Sequence, residues 1–200
     1  MDIELFIENF NKKFEDKDRF PWKILESIQI TISEKIEKLN EDFFIENGIA
    51  IHKTAVIENN VILKAPIIIE KNCFVGANSC LRGGVFLSEN VKIGLGCEIK
   101  SSVIFDHTSI AHFNFIGDSI VGKNVNFEAG SITANHYNER ENKNIFVKIN
   151  NKIIDTNCIK FGALVGDNSK IGANAVLSPG TILEQNSIVK RLQLIEQIQN

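Results

Sequence analysis

Three residues can do chemistry together if the fold brings them to one place. Lys100 follows Arg82 by three times six positions, and His112 follows Lys100 by twice six. A guanidinium beside an ammonium suits a phosphate: one offers a planar fork of donors and the other a compact point charge. A histidine, with an ordinary pKa of about 6.5, can take a proton at neutral pH as a general base must. Each also has a plainer reading. The cations can be solvated surface charges, and the imidazole can be a structural group bonding a turn carbonyl.

The multiple of six matters because the chain itself repeats with that period. Aliphatic or aromatic residues fall at Ile51, Ile57, Leu63, Ile69, Val75, Leu81, Leu87, Ile93, Ile99 and Phe105. Small or β-branched residues follow four positions later, from Ala55 and Val61 to Cys97, Val103 and Ser109. The pattern resumes at Val121 and Phe127, and again from Val165 to Val189. A fixed period of this kind determines the whole fold. Each hexad is one short strand and one turn, and three hexads make one triangular coil. Stacked coils form a mainly β solenoid with inward side chains in ladders. Arg82 and Lys100, one coil apart and both just after the apolar start of a hexad, then stack on one outer face, about 5 Å apart. Cys73 and Cys97 take the small inward position, where cysteine acts as a compact hydrophobe.

Departures from the repeat are where chemistry is expected. Between Phe105 and Val121 the phase slips, because the interval is two short of a multiple of six. His112 lies in that slipped segment between two phenylalanines, Phe113 and Phe115. Residues 134–164 form an insertion, in which 145–149 and 152–154 flank Asn150-Asn151 as a small hairpin. Gly117-Asp-Ser-Ile-Val-Gly-Lys123 nearly spells a phosphate-binding P-loop. However, Asn124 replaces the magnesium-binding Ser or Thr, and the segment belongs to the hexad phase.

The segment 1–48 differs in physics. Residues 1–50 hold 12 acidic and 7 basic side chains, and Gly48 is the only glycine of the 13 before residue 50. Ile3, Phe6, Ile7 and Phe10 follow helical spacing, a break is expected at Asp18-Arg19-Phe20-Pro21, and Trp22, Leu25, Ile28, Ile32, Ile36 and Leu39 form a second stripe. Two such helices cannot make a core alone, so they dock on the solenoid, over the outward Phe74, Cys80 and Phe86, or lengthen an interface between subunits. The expected division is an N-terminal helical segment at 1–48, a β-helix at 49–190 with the insertion 134–164, and a short C-terminal capping helix at 191–200.

Composition narrows the function. The 200 residues are 44% hydrophobic and 24% charged with net charge −3, which argues against nonspecific attraction to nucleic acid or anionic membranes. No apolar stretch is long enough to span a membrane, and Met1-Asp2 opens no signal peptide, so a cytoplasmic protein is expected. The four cysteines form no CxxC pair, which suggests neither a zinc ribbon nor a disulfide framework.

The repeat resembles that of the hexapeptide-repeat acyltransferases, whose fold is a left-handed parallel β-helix assembling as a homotrimer. The resemblance spans about 51–192. Within it, Ile110-Ala-His-Phe-Asn-Phe-Ile-Gly-Asp118 and Gly122-Lys-Asn-Val-Asn-Phe-Glu-Ala-Gly-Ser-Ile-Thr-Ala-Asn135 look like the acetyltransferase domain that acts on glucosamine-1-phosphate, and like related archaeal sugar-phosphate acetyltransferases. The resemblance implies that Arg82 and Lys100 bind the sugar phosphate and that His112 is the catalytic base. It further implies that Asn126 contacts the sugar, that Asn135 sits near the thioester, and that a backbone N–H at Ala129 serves acetyl-CoA. Sites would lie between subunits. Phe115 stands where the family commonly has a substrate-bonding tyrosine, and Asp167 follows Val165-Gly166 where the family has a CoA-contacting serine. The late coils that hold CoA are expected to be short here unless Lys190 or Arg191 replaces them, and no uridylyltransferase domain is expected. His136 and Tyr137 are candidates to close over the sugar, with Arg140 or Lys143 adding a phosphate contact.

The function expected is therefore acetyl-CoA-dependent N-acylation of an amino-sugar phosphate or nucleotide-linked amino sugar, with no metal. One alternative is a non-catalytic trimeric sugar-phosphate-binding module. A remoter one is a zinc enzyme like the γ-class carbonic anhydrases, because His107 and His112 have the spacing of two of its ligands. Lys71, though, stands where its third histidine belongs.

Overall fold

The computed structural model describes residues 1–14 and 20–198. From Ile49 onward the chain winds as a left-handed parallel β-helix with three faces. Strand pairing fixes three interior ladders. Ile51, Ile69, Leu87, Ile104, Val121, Val165 and Leu183 stack along the first face. Ile57, Val75, Ile93, Ile110, Phe127, Ile171 and Val189 stack along the second. Leu63, Leu81, Ile99, Ile116, Thr133, Leu177 and Ile195 stack along the third. These side chains form most of one buried cluster. Cys73 and Cys97 lie inside it, as the period requires.

The corners explain the abundance of asparagine. Asn72, Asn90, Asn124, Asn168 and Asn186 turn the first corner with φ near +60°, and Asn60, Asn78, Gly96, Gly130 and Asn174 turn the second. Asparagine and glycine adopt this left-handed conformation at least cost.

The slip in the period lies earlier than the sequence suggests. Ile104, not Phe105, joins the interior ladder, because the chain advances by five rather than six from Ile99 to Ile104 and again from Ile116 to Val121. Each short step turns on one left-handed residue, Ser101 (φ +47°) or Asp118 (φ +44°), where the previous coil uses Gly83 and Gly84. Losing one residue flips the parity of the strand. Val103 and Phe105 therefore face outward, while Ser102 and Thr108 replace Val103 and Ser109 at the small buried positions.

Those outward apolar residues are covered. Ile68, Phe86, Val103, Ile120, Leu164 and Ile182 on the first face pack against the N-terminal segment and the insertion. Phe14 meets Phe86 with ring centroids 5.6 Å apart, and Trp22 meets Phe161 at 5.7 Å. Gly84 leaves room for this docking, since a Cβ there would stand 3.0 Å from Ile28 Cγ2. Phe74 and Cys80 are not covered, because they leave the second and third faces instead.

Local order in the N-terminal segment is more broken than expected. Residues 3–13 form a short 3₁₀ turn, Ile3–Leu5, and a single helical turn, Phe10–Lys13, separated by left-handed Asn9. Of the expected break, Asp18 and Arg19 lie outside the described residues; Pro21 does open a helix, Pro21–Glu26. Ser27, with ψ near 1°, interrupts the second stripe before Ile28–Ile36. Phe43–Glu46 is already a strand, pairing antiparallel with Ile49–His52 across Asn47-Gly48, so the sheet begins inside the segment read as helical.

The hairpin in the insertion is found at Phe146–Ile149 and Lys152–Asp155. The capping helix is not found over the described residues 191–198. Leu194–Ile195 pairs in parallel with Val176–Leu177, because Ile195 stands one hexad beyond Val189 and keeps the phase. Gln197 then caps the first face. Its amide accepts from Ile182 N–H at 2.8 Å and donates to Ile182 C=O at 2.7 Å, in place of a further strand.

Candidate active site

Arg82 and Lys100 are direct strand partners on the outside of the third face. Each has its own carboxylate. Arg82 donates to Glu98 at 2.6 Å, in a pair more than one-third exposed. Lys100 donates to Asp118 at 2.5 Å, in a pair only 15% and 12% exposed. An exposed pair is worth at most about 1 kcal/mol, so a competing anion easily opens the first. The second is a preformed part of the site.

Asp118 also accepts from the Asn135 side chain. Asn135 is itself 7% exposed and takes the Phe161 N–H on its backbone carbonyl at 3.0 Å, where the insertion returns to the solenoid. His136 Nδ1 lies 3.3 Å from Asn135 Oδ1. The ring of Phe115 lies over Gly117, the strand partner of Lys100: a Cβ on Gly117 would be 2.6 Å from Phe115 Cζ and 2.9 Å from Asn135 Nδ2. Arg82, Lys100, Phe115 and Asn135 thus meet at one end of the third face.

His112 stands at the other end, on the corner between the second and third faces. It is five positions before Gly117, so at most about 18 Å of extended chain separates them. Its backbone is bolted down: the His112 carbonyl accepts from Gly130 N–H at 2.9 Å and from buried Asn114 Nδ2 at 3.2 Å. Its imidazole is exposed and makes no hydrogen bond among the described residues. The turn-carbonyl role is therefore not the one it plays. Gly94, one coil below, keeps the corner tight, because a Cβ there would lie 3.0 Å from His112 Nδ1. Ala129, an exposed residue, stacks above His112, and its N–H has no hydrogen-bond acceptor among the described residues.

Asn126 is not beside the third-face group in one chain. It lies on the second face, between Ser109 and Lys170 in register, and lines a groove of about 620 Å³ with Glu128, Lys170, Ile188 and Arg191. Arg191 grips Glu128 with two bonds of 2.8 Å, and this hydrogen bonding holds the Glu128 carboxyl below its usual range. The loop expected over the sugar is also committed elsewhere. Arg140 lies 3.4 Å over the Tyr137 ring and pairs with Glu196 at 3.0 Å, while Tyr137 donates to Pro179 C=O.

Asp167 has a structural role that sequence reading missed. It is 1% exposed and accepts from Glu8 N–H at 2.9 Å and Lys123 N–H at 2.8 Å, which pins the N-terminal segment to the first corner. Burial pushes its carboxyl up, against the effect of these hydrogen bonds. Lys64 was missed too, although the signal was the same interval of three hexads: it is the strand partner of Arg82. Phe113 holds φ +55° at a corner position otherwise taken by asparagine, glycine or Leu192, and is 67% exposed beside His112. His107 and His112 occupy different corners, and among the described residues no three His, Cys, Asp or Glu side chains gather as a metal-ligand set.

Sequence comparisons agree with this architecture. The GMPPB C-terminal domain family matches residues 63–136, and the hexapeptide repeat of succinyl-transferase matches 162–190. A bifunctional protein GlmU of Methanococcus maripaludis is 38% identical over 182 residues, covering 88% of this chain and 43% of its own length. A bifunctional sugar-1-phosphate nucleotidylyltransferase/acetyltransferase of Sulfurisphaera tokodaii is 37% identical over 166 residues, covering 80% of this chain and 41% of its own. The chain thus spans less than half the length of these relatives. Among solved structures, a hexapeptide transferase family protein of Anaplasma phagocytophilum aligns with TM-score 0.43 and 20% identity over 74% of each chain.

Proposed function

Because this chain is a hexapeptide-repeat β-helix, similar over most of its length to archaeal GlmU proteins, we propose that it transfers an acyl group from acetyl-CoA to the amine of a phosphate-bearing sugar. The observation that carries the reading is the third-face group, in which Arg82 and Lys100 stand in register and Asp118 ties Lys100 to Asn135.

In this reading the phosphate displaces Glu98 from Arg82 and is held by Arg82 and Lys100. Asp118 keeps Lys100 extended, and Phe115 offers its ring face to the sugar. The amine attacks the thioester carbonyl. His112 takes the proton that the amine loses, and the coenzyme leaves as its thiolate, which regains a proton from the imidazolium. The N–H of exposed Ala129, next to His112, is placed to meet the developing oxyanion or the pantetheine arm. Asn126 and Asn135 orient the sugar. Asn126 lies round the corner from Arg82, so a complete site combines the third face of one chain with the second face of its neighbour in a trimer.

A second reading has a specific observation in its favour. The N-terminal segment sits on the corner beyond Gly166 through Asp167, and Arg191 is occupied by Glu128, which reduces the surface left for CoA. A trimeric binding module would need no such surface. The test is thiol release from acetyl-CoA with glucosamine-1-phosphate, with His112→Ala alongside at equal trimer mass. Removing a general base costs about 10²- to 10⁴-fold. Turnover lost in the variant supports acyl transfer. Sugar phosphate that binds without turnover, and binds less to Arg82→Ala, supports the module.

A further inference from the structure

We propose that Lys64 is a third rung of an anion ladder, and that the substrate is therefore a diphosphate-linked amino sugar rather than a sugar monophosphate. This rests on the reading of Arg82 and Lys100 as phosphate ligands. Lys64, Arg82 and Lys100 are successive strand partners, and each directly follows an interior residue: Leu63, Leu81 and Ile99. All three side chains therefore leave the same face. Neighbouring strands are about 4.8 Å apart, so the three positions span about 10 Å.

Charge along the ladder is uneven. Glu98 answers Arg82 and Asp118 answers Lys100, but among the described residues no carboxylate lies within 4.0 Å of Lys64. The surplus positive charge sits at the Lys64 end. One phosphate is satisfied by one strand spacing, between Arg82 and Lys100. A second phosphate linked to it reaches one spacing further, to Lys64. The order also fits. Along the solenoid axis His112 belongs to the coil beyond Lys100, so the heights of the base, Lys100, Arg82 and Lys64 follow the order of the amine, the first phosphate and the second. Past Lys64 the first coil is open, and Ile62, 53% exposed on the same face, offers an apolar surface to a nucleoside.

The experiment is calorimetric titration of the full chain with inorganic phosphate and with inorganic pyrophosphate at fixed ionic strength. Lys64→Ala should weaken pyrophosphate about tenfold, the worth of one charge-assisted hydrogen bond, and leave phosphate within about twofold. Lys64→Arg should restore pyrophosphate binding, and Arg82→Ala should weaken both anions. If Lys64→Ala weakens both anions equally, or neither, while Arg82→Ala still weakens both, the ladder is refuted and the phosphate reading of Arg82 and Lys100 stands. If neither anion binds the unaltered chain, both fail.

Discussion

Gly94→Ala tests whether the corner backbone, rather than the imidazole alone, sets the position of His112, the proposed base. A Cβ on Gly94 would stand 1.8 Å from the Ala111 carbonyl oxygen, 2.6 Å from its carbon and 3.0 Å from His112 Nδ1. Real Cβ atoms essentially never come within 3.0 Å of such an atom, so the Ala111 carbonyl must retreat from 1.8 Å to beyond that limit. That carbonyl belongs to the peptide that carries His112. The retreat also pulls on Ala111 N–H→Phe127 C=O and Gly130 N–H→His112 C=O, which tie the corner to the coil above. A misplacement of about 1 Å costs on the order of 10²-fold in rate. Overpacking a tight site costs about 1–3 kcal/mol of stability. The expected result is a kcat lowered about 100-fold, with KM for the phosphorylated sugar changed less than about threefold, because Arg82 and Lys100 stand at the far end of the face. Steady-state kinetics and a urea melt on the same preparation measure both. A kcat within about threefold of the unaltered protein would refute the argument that this corner positions His112. A rise in KM matching the fall in kcat would refute the separation of the proposed base from the proposed phosphate site.

Lys13 lies 2.7 Å from Asp106, 3.2 Å from Glu89 and 3.1 Å from Ser88 Oγ, so Lys13→Met should cost about 2 kcal/mol by leaving the part-buried Asp106 carboxylate without a cation, while Glu89 keeps Lys71 at 3.0 Å. The fluorescence of Trp22, the one tryptophan, should report the loosened segment. Burial works to raise Asp106 and Glu89, but hydrogen bonds from Lys13, with Ser88 and Lys71, outweigh it and hold both below their usual values. Their stabilisation is present above the unfolded pKa and lost as pH falls through the folded one, so the gap between variant and parent should close below about pH 4. Phe113→Asn should raise stability by about 1 kcal/mol in urea melts, because asparagine accepts φ +55° that an aromatic residue resists; a loss would contradict the strain argument. Burial pushes the Cys73 thiol up to about 12 and also raises Cys97, so iodoacetamide at pH 8 should label the half-exposed Cys80 first. Mass spectra showing Cys73 labelled in the folded protein would overturn that.

Much of this molecule was written in the chain. The hexad phase specified the interior ladders through Ile99, because each inward residue is set by turns and neighbours within one coil. Arg82 and Lys100 could be placed side by side for the same reason: the register shift between their strands comes after both, where Val85 pairs with Ser102, so three full hexads return the chain from Arg82 to the same point at Lys100. The hairpin at Asn150-Asn151 was legible from its turn residues, and both hold the positive φ that such a turn demands.

What the sequence left undecided depends on segments far apart in the chain. The five-residue steps at Ser101 and Asp118 were hidden, since Val103 and Phe105 are apolar whether they face the core or the N-terminal segment. Only the docking of that segment on the first face makes their outward orientation stable. The tail from Arg191 carries helix-forming residues, yet the free edge of Val176–Leu177 captures Leu194–Ile195 because backbone pairing outweighs local propensity. Asp118, the partner of Lys100, likewise sits on the second five-residue step, where the hexad phase no longer tells which side chains share a face. A repeat is encoded locally, but the width of each corner and what covers each face are set by contacts across the whole chain.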